Sequence, residues 1–450
     1  VQSVALDRIR EATHGSKFEN QLWLVGGAVR DELLGRPVSG DLDIVTELDA
    51  MELVAFLIQA GIVEGEPVTY ARFGTAMIRV ERSTIELVQA RKESYDSQSR
   101  KPSVEQATLL DDAKRRDFTA NTLLKNIHTG EPLDLLGRGK GDLTAKILRT
   151  PLDPKATFFD DPLRMLRAVR FKWKLGFEFA DGLAEAIQEE VHRLNVVSAE
   201  RIREEFEKIL LGSNPDLALA DLMDLGLLRQ FLPEFVAMKG VDQGHFHHLD
   251  VWDHTLLVLK NASTNDLVLA LGCLFHDIGK PATRSIDEQG ATRFFSHETV
   301  GAEMAKQMLV RMKFSNSTAE EVSLLVKNHM RLGSWASPTP SAARRLVRDL
   351  GEHLDSLLDL IEADTKSLRP GVNVMDLASI KTLIEQVRTI TPASELESPL
   401  SGEEIMAEMG LEPGPEVGKV KAWLLELVIE GELKPGDKEE ARARLCSPPQ

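Results

Sequence analysis

Only two cysteines, Cys273 and Cys446, occur in the 450 residues. That is too few for a disulfide framework or a cysteine-rich zinc site. No apolar run approaches the roughly 18–20 residues that cross a bilayer, so no membrane partner is expected. Residues Val1 to Glu19 alternate charged and apolar side chains without a signal peptide's apolar centre. The cytoplasm is therefore the expected compartment. Excess positive charge is also missing: the net charge is −17 and the pI near 5.2. This excludes nucleic-acid binding through bulk charge and leaves room only for local basic grooves. Neither an internal repeat nor an extended low-complexity segment appears.

What is present is an ordinary globular composition, 42% hydrophobic and 28% charged, in a chain long enough for more than one domain. The most informative stretch is Leu24-Val25-Gly26-Gly27-Ala28-Val29-Arg30-Asp31, followed by Gly40-Asp41-Leu42-Asp43-Ile44. It reads as a strand, a glycine turn, a helix and a second strand. Glycines after a strand let backbone amides approach a phosphate closely. Alternation along the second strand puts Asp41 and Asp43 on one face. Two such carboxylates beside a phosphate cradle suit a divalent metal and in-line attack on a nucleoside triphosphate. The strand Thr84-Ile85-Glu86-Leu87-Val88 would present Glu86 near them.

Residues 21–150 read as mixed α/β, with strands over 21–26, 42–46, 74–80 and 84–89 and turns at Gly130 and Gly137–Gly141. The polar segment 92–112 is expected to be a mobile loop. From about 158 onward the pattern is helical, with helices expected over 160–174, 181–192, 198–211, 215–225, 250–260, 264–276, 297–312, 317–329, 340–348 and 352–367. The Pro/Ser-rich breaks 334–341 and 391–401 interrupt this run, and the second reads as a linker to a helical tail. Arg164, Arg167, Arg170 and Lys174 fall within one face of the first of these helices.

Further motifs follow in order: Lys114-Arg115-Arg116-Asp117-Phe118-Thr119-Ala120-Asn121, then Asp160-Asp161-Pro162-Leu163-Arg164-Met165-Leu166-Arg167, then Ser198-Ala199-Glu200-Arg201-Ile202. With the glycine and Asp-x-Asp motifs, they make residues 20–211 resemble the class II tRNA nucleotidyltransferases, the CCA-adding enzymes and related bacterial poly(A) polymerases. The resemblance implies an α+β chain: a polymerase-beta-type head over 1–150, an all-α neck over 151–214, an HD-type helical domain over 215–390 and a helical tail over 391–450. It implies that Asp41 and Asp43 hold Mg2+, beside which Glu86 is read as a catalytic residue in a metal or supporting role. It implies that Gly26, Gly27 and Arg30 meet the triphosphate, and that Arg116, Asp117 and Asn121 lie in the ribose-recognition motif. Asp161 and Arg164, at i and i+3 of one helix, would read the Watson–Crick edge of C and then A, with Arg167 on phosphate or supporting the pair. The family's motif usually begins Glu-Asp; Asp160 is one methylene shorter.

The implied reaction is template-independent addition of C, C and A to tRNA 3′ ends from CTP and ATP. Addition of A alone, poly(A) synthesis, or an HD phosphohydrolase with an inactive head are the alternatives. CC-adding members of the family shorten the loop before the Arg-Arg-Asp motif. Here Asp43 and Arg115 lie 72 positions apart, which speaks against CC-only addition.

Seven of the eleven histidines lie between 245 and 329, namely His245, His247, His248, His254, His276, His297 and His329. Imidazole is the commonest metal ligand, so the clustering points to a metal site. His254, His276-Asp277 and Asp364 resemble the ligand set of HD-domain phosphohydrolases. The resemblance implies a divalent transition metal on those four residues, with His297 and His329 completing a dinuclear site and a possible second, phosphohydrolase activity.

Overall fold

The computed structural model describes residues 2–38, 42–94, 103–244, 247–333, 338–372 and 375–445. They fall into two compact units, Val1–Phe231 and Leu232–Gln450.

The first unit begins with α1 (Gln2–Thr13), β1 (Trp23–Val25), α2 (Gly27–Leu33), β2 (Leu42–Thr46), α3 (Ala50–Gln59), β3 (Val68–Tyr70), β4 (Thr75–Val80) and β5 (Ser83–Gln89). It continues with β6 (Arg91–Ser94), β7 (Ser103–Gln106), α4 (Leu109–Arg115), β8 (Leu124–Asn126), β9 (Pro132–Leu133) and α5 (Gly139–Ala145). Seven strands form one sheet in the order β3-β4-β5-β2-β1-β8-β9. Within it β2 and β5 run parallel and the other neighbours antiparallel. Period-2 alternation separates its faces. Ala76, Ile78 and Val80 of β4 are buried while Met77 and Arg79 are exposed. The helix α3, with Leu53, Val54 and Leu57 buried, packs on β4 and β5. Across the sheet, Val25, Val45, Ala90 and Leu124 make a separate buried cluster.

Three expectations change here. The segment 92–112 is not wholly a loop: β6 and β7 pair antiparallel from Arg91↔Gln106 to Ser94↔Ser103, and α4 starts at Leu109. The cause is main-chain pairing, which needs no apolar side chains. The Ala107 amide donates to the Ala90 carbonyl (3.2 Å) and closes the ribbon at its base. Residues 95–102 lie outside the described residues. Next, Gly139 and Gly141 sit in the short helix α5 rather than in a turn. A Cβ at Gly139 would stand 2.8 Å from Leu123, so close approach to Leu123 explains that glycine. Last, the helix expected over 160–174 is two helices, α6 (Pro154–Asp160) and α7 (Leu163–Leu175). Pro162 disfavours helical backbone at the residue before it, and Asp161 is extended (φ −139°, ψ 98°).

The rest of this unit comprises the short parallel pair β10 (Ile147–Leu148) and β11 (Glu178–Phe179), then α8 (Leu183–Glu190), α9 (Ala199–Leu210), α10 (Pro215–Asp224) and α11 (Leu228–Phe231). The buried face of α7 joins it to the head through Phe171, whose ring meets Phe118 edge-on at 5.8 Å.

The second unit is helical: α12 (Val251–Ala262), α13 (Leu267–Phe275), α14 (Lys280–Thr283), a hairpin of β12 (Arg284–Ile286) and β13 (Thr292–Phe294), α15 (His297–Arg311), α16 (Asn316–Asn328), α17 (Pro340–Leu350) and α18 (Leu354–Lys366). It ends with α19 (Leu377–Ile390), α20 (Gly402–Met409), α21 (Pro415–Glu430) and α22 (Lys438–Leu445). Phe235 anchors its core against Trp252 and Phe275. The tail docks on α17, where Arg344 donates to the Ile429 carbonyl (2.6 Å). Among the described residues no helix is long and apolar enough to cross a membrane.

Candidate active site

In the head the expected carboxylates share a row of the sheet. Strand register sets Val25 opposite Asp43, Asp43 opposite Glu86, and Glu86 opposite Met77. Paired positions project to the same face, so Asp43 and Glu86 stand side by side. Asp41 lies outside the described residues. Gly26 turns the chain between β1 and α2 at φ 76° and ψ −137°. A Cβ there would stand 3.2 Å from Asp43 Oδ2 and 3.8 Å from Arg116 Nη1. The turn, the carboxylate and the guanidinium therefore meet at one point that only glycine fits. Gly27 opens α2 with Arg30 Nη2 at 3.5 Å from its own notional Cβ.

The arginines expected at the nucleotide are tied to protein partners. Asp112, buried in the first turn of α4, receives Arg115 Nε (2.9 Å) and Arg116 Nε (3.0 Å). Burial works against its charge, but the Arg116 and Arg115 guanidinium groups outweigh it and hold its pKa below the usual carboxylate range. Asp117 accepts from the Phe118 amide (2.8 Å) and Asn121 Nδ2 (2.9 Å) on Oδ1, and from Arg167 Nε (2.9 Å) and Nη2 (2.6 Å) on Oδ2. Its pKa is likewise lowered: burial opposes ionisation and Arg167 overcomes it. Read from sequence as a ribose acceptor, Asp117 is thus engaged at both oxygens and ties the head to α7. Arg30 is 2% exposed, so it is not an open phosphate ligand: it donates to Asp31 (2.8 Å) and Asn121 Oδ1 (2.7 Å).

Asp161 and Arg164 do not share a helix. Asp161 stands at the α6–α7 junction, where Oδ1 accepts from the Leu163 amide (3.3 Å) and Oδ2 from Arg201 Nη2 (3.0 Å). Arg164, in the first turn of α7, donates to the Thr157 carbonyl (3.3 Å) and to the Arg115 carbonyl. The structure thus groups Arg164, Arg115, Asp112 and Arg116 in one set of hydrogen bonds, Asp117, Asn121 and Arg167 in a second, and Asp161 with Arg201 in a third. Sequence reasoning gave Arg201 no role, although it sits in the Ser-Ala-Glu-Arg motif.

In the second unit Asp277 is the hub. His276 Nε2 lies 3.1 Å and His254 Nε2 3.9 Å from its Oδ2, while His297 and His329 Nε2 lie 3.5 and 3.8 Å from its Oδ1. Asp364 Oδ1 is 2.9 Å from His254 Nε2. His245 lies outside the described residues. Three imidazoles donate Nδ1–H to the carbonyl three residues earlier: His276 to Cys273 (2.7 Å), His297 to Phe294 (2.8 Å) and His329 to Val326 (2.6 Å). This aims each Nε2 inward and, in a neutral ring, leaves its lone pair there. Burial opposes protonation of His276, but Asp277 outweighs it and raises the His276 pKa, favouring an Nε2 proton towards the carboxylate. The His297 and His329 Nε2 atoms then face each other at 3.3 Å. Two Nε2 atoms at that distance beside a carboxylate are placed to share either a proton or a metal ion. Two groups meet the geometry of a metal site, His254-His276-Asp277 and Asp277-His297-His329, with Asp277 common to both.

Electrostatics agree. Burial opposes the Asp277 charge, yet His276 and Lys280 hold its pKa well below the carboxylate range. Burial and the neighbouring His276 push His329 down to about 3, so it stays neutral and ligand-competent. Gly279 makes the convergence possible. A Cβ on it would stand 2.2 Å from the His297 carbonyl and 2.7 Å from the Gly301 amide, so α15 can approach only because there is none. Sequence reasoning missed Lys280 and Gln243: Lys280 Nζ lies 2.7 Å from Asp277 Oδ2 and 2.6 Å from Gln243 Oε1. His247, counted in the histidine cluster but left out of the expected ligand set, stands beside it: its ring meets His254 edge-on at 4.6 Å. The i+3 spacing of Lys280 from Asp277 was the one available signal.

Three family profiles match in chain order: the poly A polymerase head domain over residues 22–149, a probable RNA and SrmB-binding site of polymerase A over 176–238, and the HD domain over 246–371. The chain is 34% identical over 436 residues to an A-adding tRNA nucleotidyltransferase of Deinococcus radiodurans, covering 93% of this chain and 94% of that one. It is 33% identical over 432 residues to a CC-adding tRNA nucleotidyltransferase of Thermus thermophilus, covering 94% and 92%. Among solved structures, the Bacillus stearothermophilus CCA-adding enzyme in complex with CTP is alike in fold over 98% of this chain and 96% of that one, with a TM-score of 0.69 at 24% identity.

Proposed function

This chain belongs to the tRNA nucleotidyltransferase family, and we propose that its own reaction is the stepwise addition of C, C and A to tRNA 3′ ends from CTP and ATP. The observation that carries this reading is the Asp43–Glu86 pair in register beside the Gly26 turn. Two adjacent carboxylates with a glycine turn fit a hard divalent cation, and Mg2+ on Asp41 and Asp43 with Glu86 is part of the proposal. Bound there, it would supply charge neutralisation and a more acidic attacking hydroxyl. The chain's own groups do the rest. The Gly26-Gly27 backbone admits the phosphates, and Arg116 adds positive charge at the same point. Asp161 accepts from an exocyclic amine and Arg164 donates to a ring nitrogen or carbonyl, after each exchanges its present protein partner for the base. Asp117, locked to Arg167, holds Asn121 and the ribose motif in place.

In the second unit His254, His276, Asp277 and Asp364, with His297 and His329, would hold one or two divalent transition metals, and the inward-facing Nε2 atoms fit them. When bound, such metals supply the Lewis acidity of a phosphohydrolase. A specialised A-adding reaction is the second reading, favoured by the full-length similarity to the Deinococcus enzyme.

The test offers tRNA transcripts ending at the discriminator base, after one C and after two, with CTP, ATP or both. Full CCA addition predicts growth of all three by the missing nucleotides. Growth of the two-C transcript alone selects A addition, and long A tracts select poly(A) synthesis. Asp43→Ala should abolish transfer with the fold intact; full activity in that variant would sink the assignment. Hydrolysis of a 2′,3′-cyclic phosphate with manganese or nickel tests the second unit.

A further inference from the structure

Beyond Glu86 the sheet carries a surface with no part in the reaction so far. The Asp43–Glu86 row continues to Met77 on β4 and Val68 on β3. Flanking rows of the same face carry Tyr70 opposite Thr75 and Arg79 opposite Thr84. Val68 and Tyr70 are each 51% exposed, Met77 is 37% and Phe73, in the turn between the strands, 42%. Beneath β4, Ala76 and Ile78 are buried towards α3. The surface is therefore the open side of a packed sheet, and contiguous exposed apolar side chains of this kind mark a contact surface.

The direction of the reaction says what comes to it, given the nucleotidyl-transfer reading above. In-line displacement puts the leaving pyrophosphate and the attacking hydroxyl on opposite sides of the reacting phosphorus. Asp43 has β1 and the Gly26 turn on one side and β5 on the other. With the triphosphate at the glycine turn, the RNA hydroxyl arrives over Glu86, from the β4–β3 side. Strand spacing of about 4.8 Å puts Met77 about 10 Å and Val68 about 14 Å from Asp43. A nucleotide or two spans that distance. The chemistry is complementary: an aromatic ring and apolar side chains for bases, and exposed Arg72 and Arg79 for phosphates, in a chain of net charge −17.

We propose that the open face of β3 and β4, with Val68, Tyr70 and Met77 under the bases and Arg72 and Arg79 at the backbone, seats the single-stranded 3′ end of the RNA acceptor. Its last bases stack on Tyr70 and Met77 while the terminal hydroxyl reaches past Glu86 to Asp43.

The test compares wild type, the double variant Tyr70→Ala/Met77→Ala and the conservative Tyr70→Phe. Each receives an acceptor RNA with its last two bases intact or both abasic. The substituted side chains are exposed, and an unchanged melting temperature verifies the fold. Stacking predicts that the double variant raises the KM for intact RNA by about 10- to 100-fold. The KM for the nucleoside triphosphate should move by less than about twofold. Tyr70→Phe should behave as wild type, and the abasic acceptor should erase the difference between wild type and double variant. An unchanged RNA KM, an equal loss on both acceptors, or a change in assembly mass pointing to a protein partner overturns the proposal. A wild type that transfers nothing to any acceptor overturns the nucleotidyl-transfer reading itself, and this proposal with it.

Discussion

Replacing Gly26 by alanine should damage transfer far more than folding. Its backbone lies at φ 76° and ψ −137°, a region that residues with a Cβ avoid. Holding alanine there costs about 1–3 kcal/mol. The new methyl would also press on Asp43 Oδ2 at 3.2 Å and approach Arg116 Nη1 at 3.8 Å. Strain is relieved by rotating the turn or by swinging the carboxylate, and either movement changes where Asp43 sits relative to the triphosphate. Misplacement of about 1 Å in a reacting geometry costs about a hundredfold in rate. The expected result is a kcat about 100-fold lower in rapid-quench single-turnover assays, with a melting temperature lower by about 3–10 °C. Gly35→Ala is the control: its φ is also positive (66°), but nothing stands within 4 Å of its Cβ. It should lose some stability and no rate. A Gly26→Ala enzyme within threefold of wild type, or an equal rate loss in Gly35→Ala, refutes the reasoning.

Gly279→Ala forces α15 away from the His-Asp turn, because its Cβ would overlap the His297 carbonyl. Metal affinity in the second unit should fall by about 10- to 100-fold; an unchanged manganese or nickel titration refutes the packing argument. Arg201→Ala removes a half-exposed partner of Asp161, an ion pair worth about 0–1 kcal/mol. Its melting temperature should hold, while the ratio of C to A incorporation shifts by about 3- to 10-fold if Arg201 orients Asp161. An unchanged ratio leaves Arg201 without that role. The first unit should be acid-labile through Asp112 and Asp117, whose folded pKa values lie below their unfolded ones. The stabilisation is complete above the unfolded value of about 3.9 and is lost as pH falls through the folded values. Urea midpoints should therefore drop below about pH 4, with a shallower slope in Asp112→Asn. Equal slopes in wild type and variant would contradict this account.

Legibility followed locality. The glycine turn, the Asp43 strand and the His276-Asp277 turn each lie within a few residues, and alternation or helical periodicity places them directly. Glu86 was readable as a strand residue, but its register opposite Asp43 is set by a parallel crossover that no local pattern encodes. The three-residue strand β3 is too short to show a period, so Val68 and Tyr70 were invisible as part of the sheet. The break between α6 and α7 was written in Pro162 but overridden by the strong helical pattern on both sides. The engagement of Asp117 by Arg167 spans 50 positions and that of Asp161 by Arg201 spans 40, so the sequence named all four residues without pairing them.

Those pairings bear on how a protein surface chooses a base. Asp117 is filled by Arg167, Asn121 and the Phe118 amide, while Arg164 already donates to two carbonyls. On the proposed reading, a correct base exchanges hydrogen bonds rather than adding them, and each exchange is worth only about 0.5–1.5 kcal/mol. Discrimination must come from the wrong base, which displaces a protein partner and leaves a donor or acceptor unmet at about 1–3 kcal/mol. That asymmetry works only if one reader is rigid and another can re-aim. Arg164 keeps its backbone fixed in the first turn of α7 and exchanges only the partners of its guanidinium. Asp161 sits between helices, held by an exposed arginine and one backbone amide, with Pro162 keeping it out of both. On the proposed reading, the junction that the helical pattern concealed leaves Asp161 free to re-aim between one base and the next.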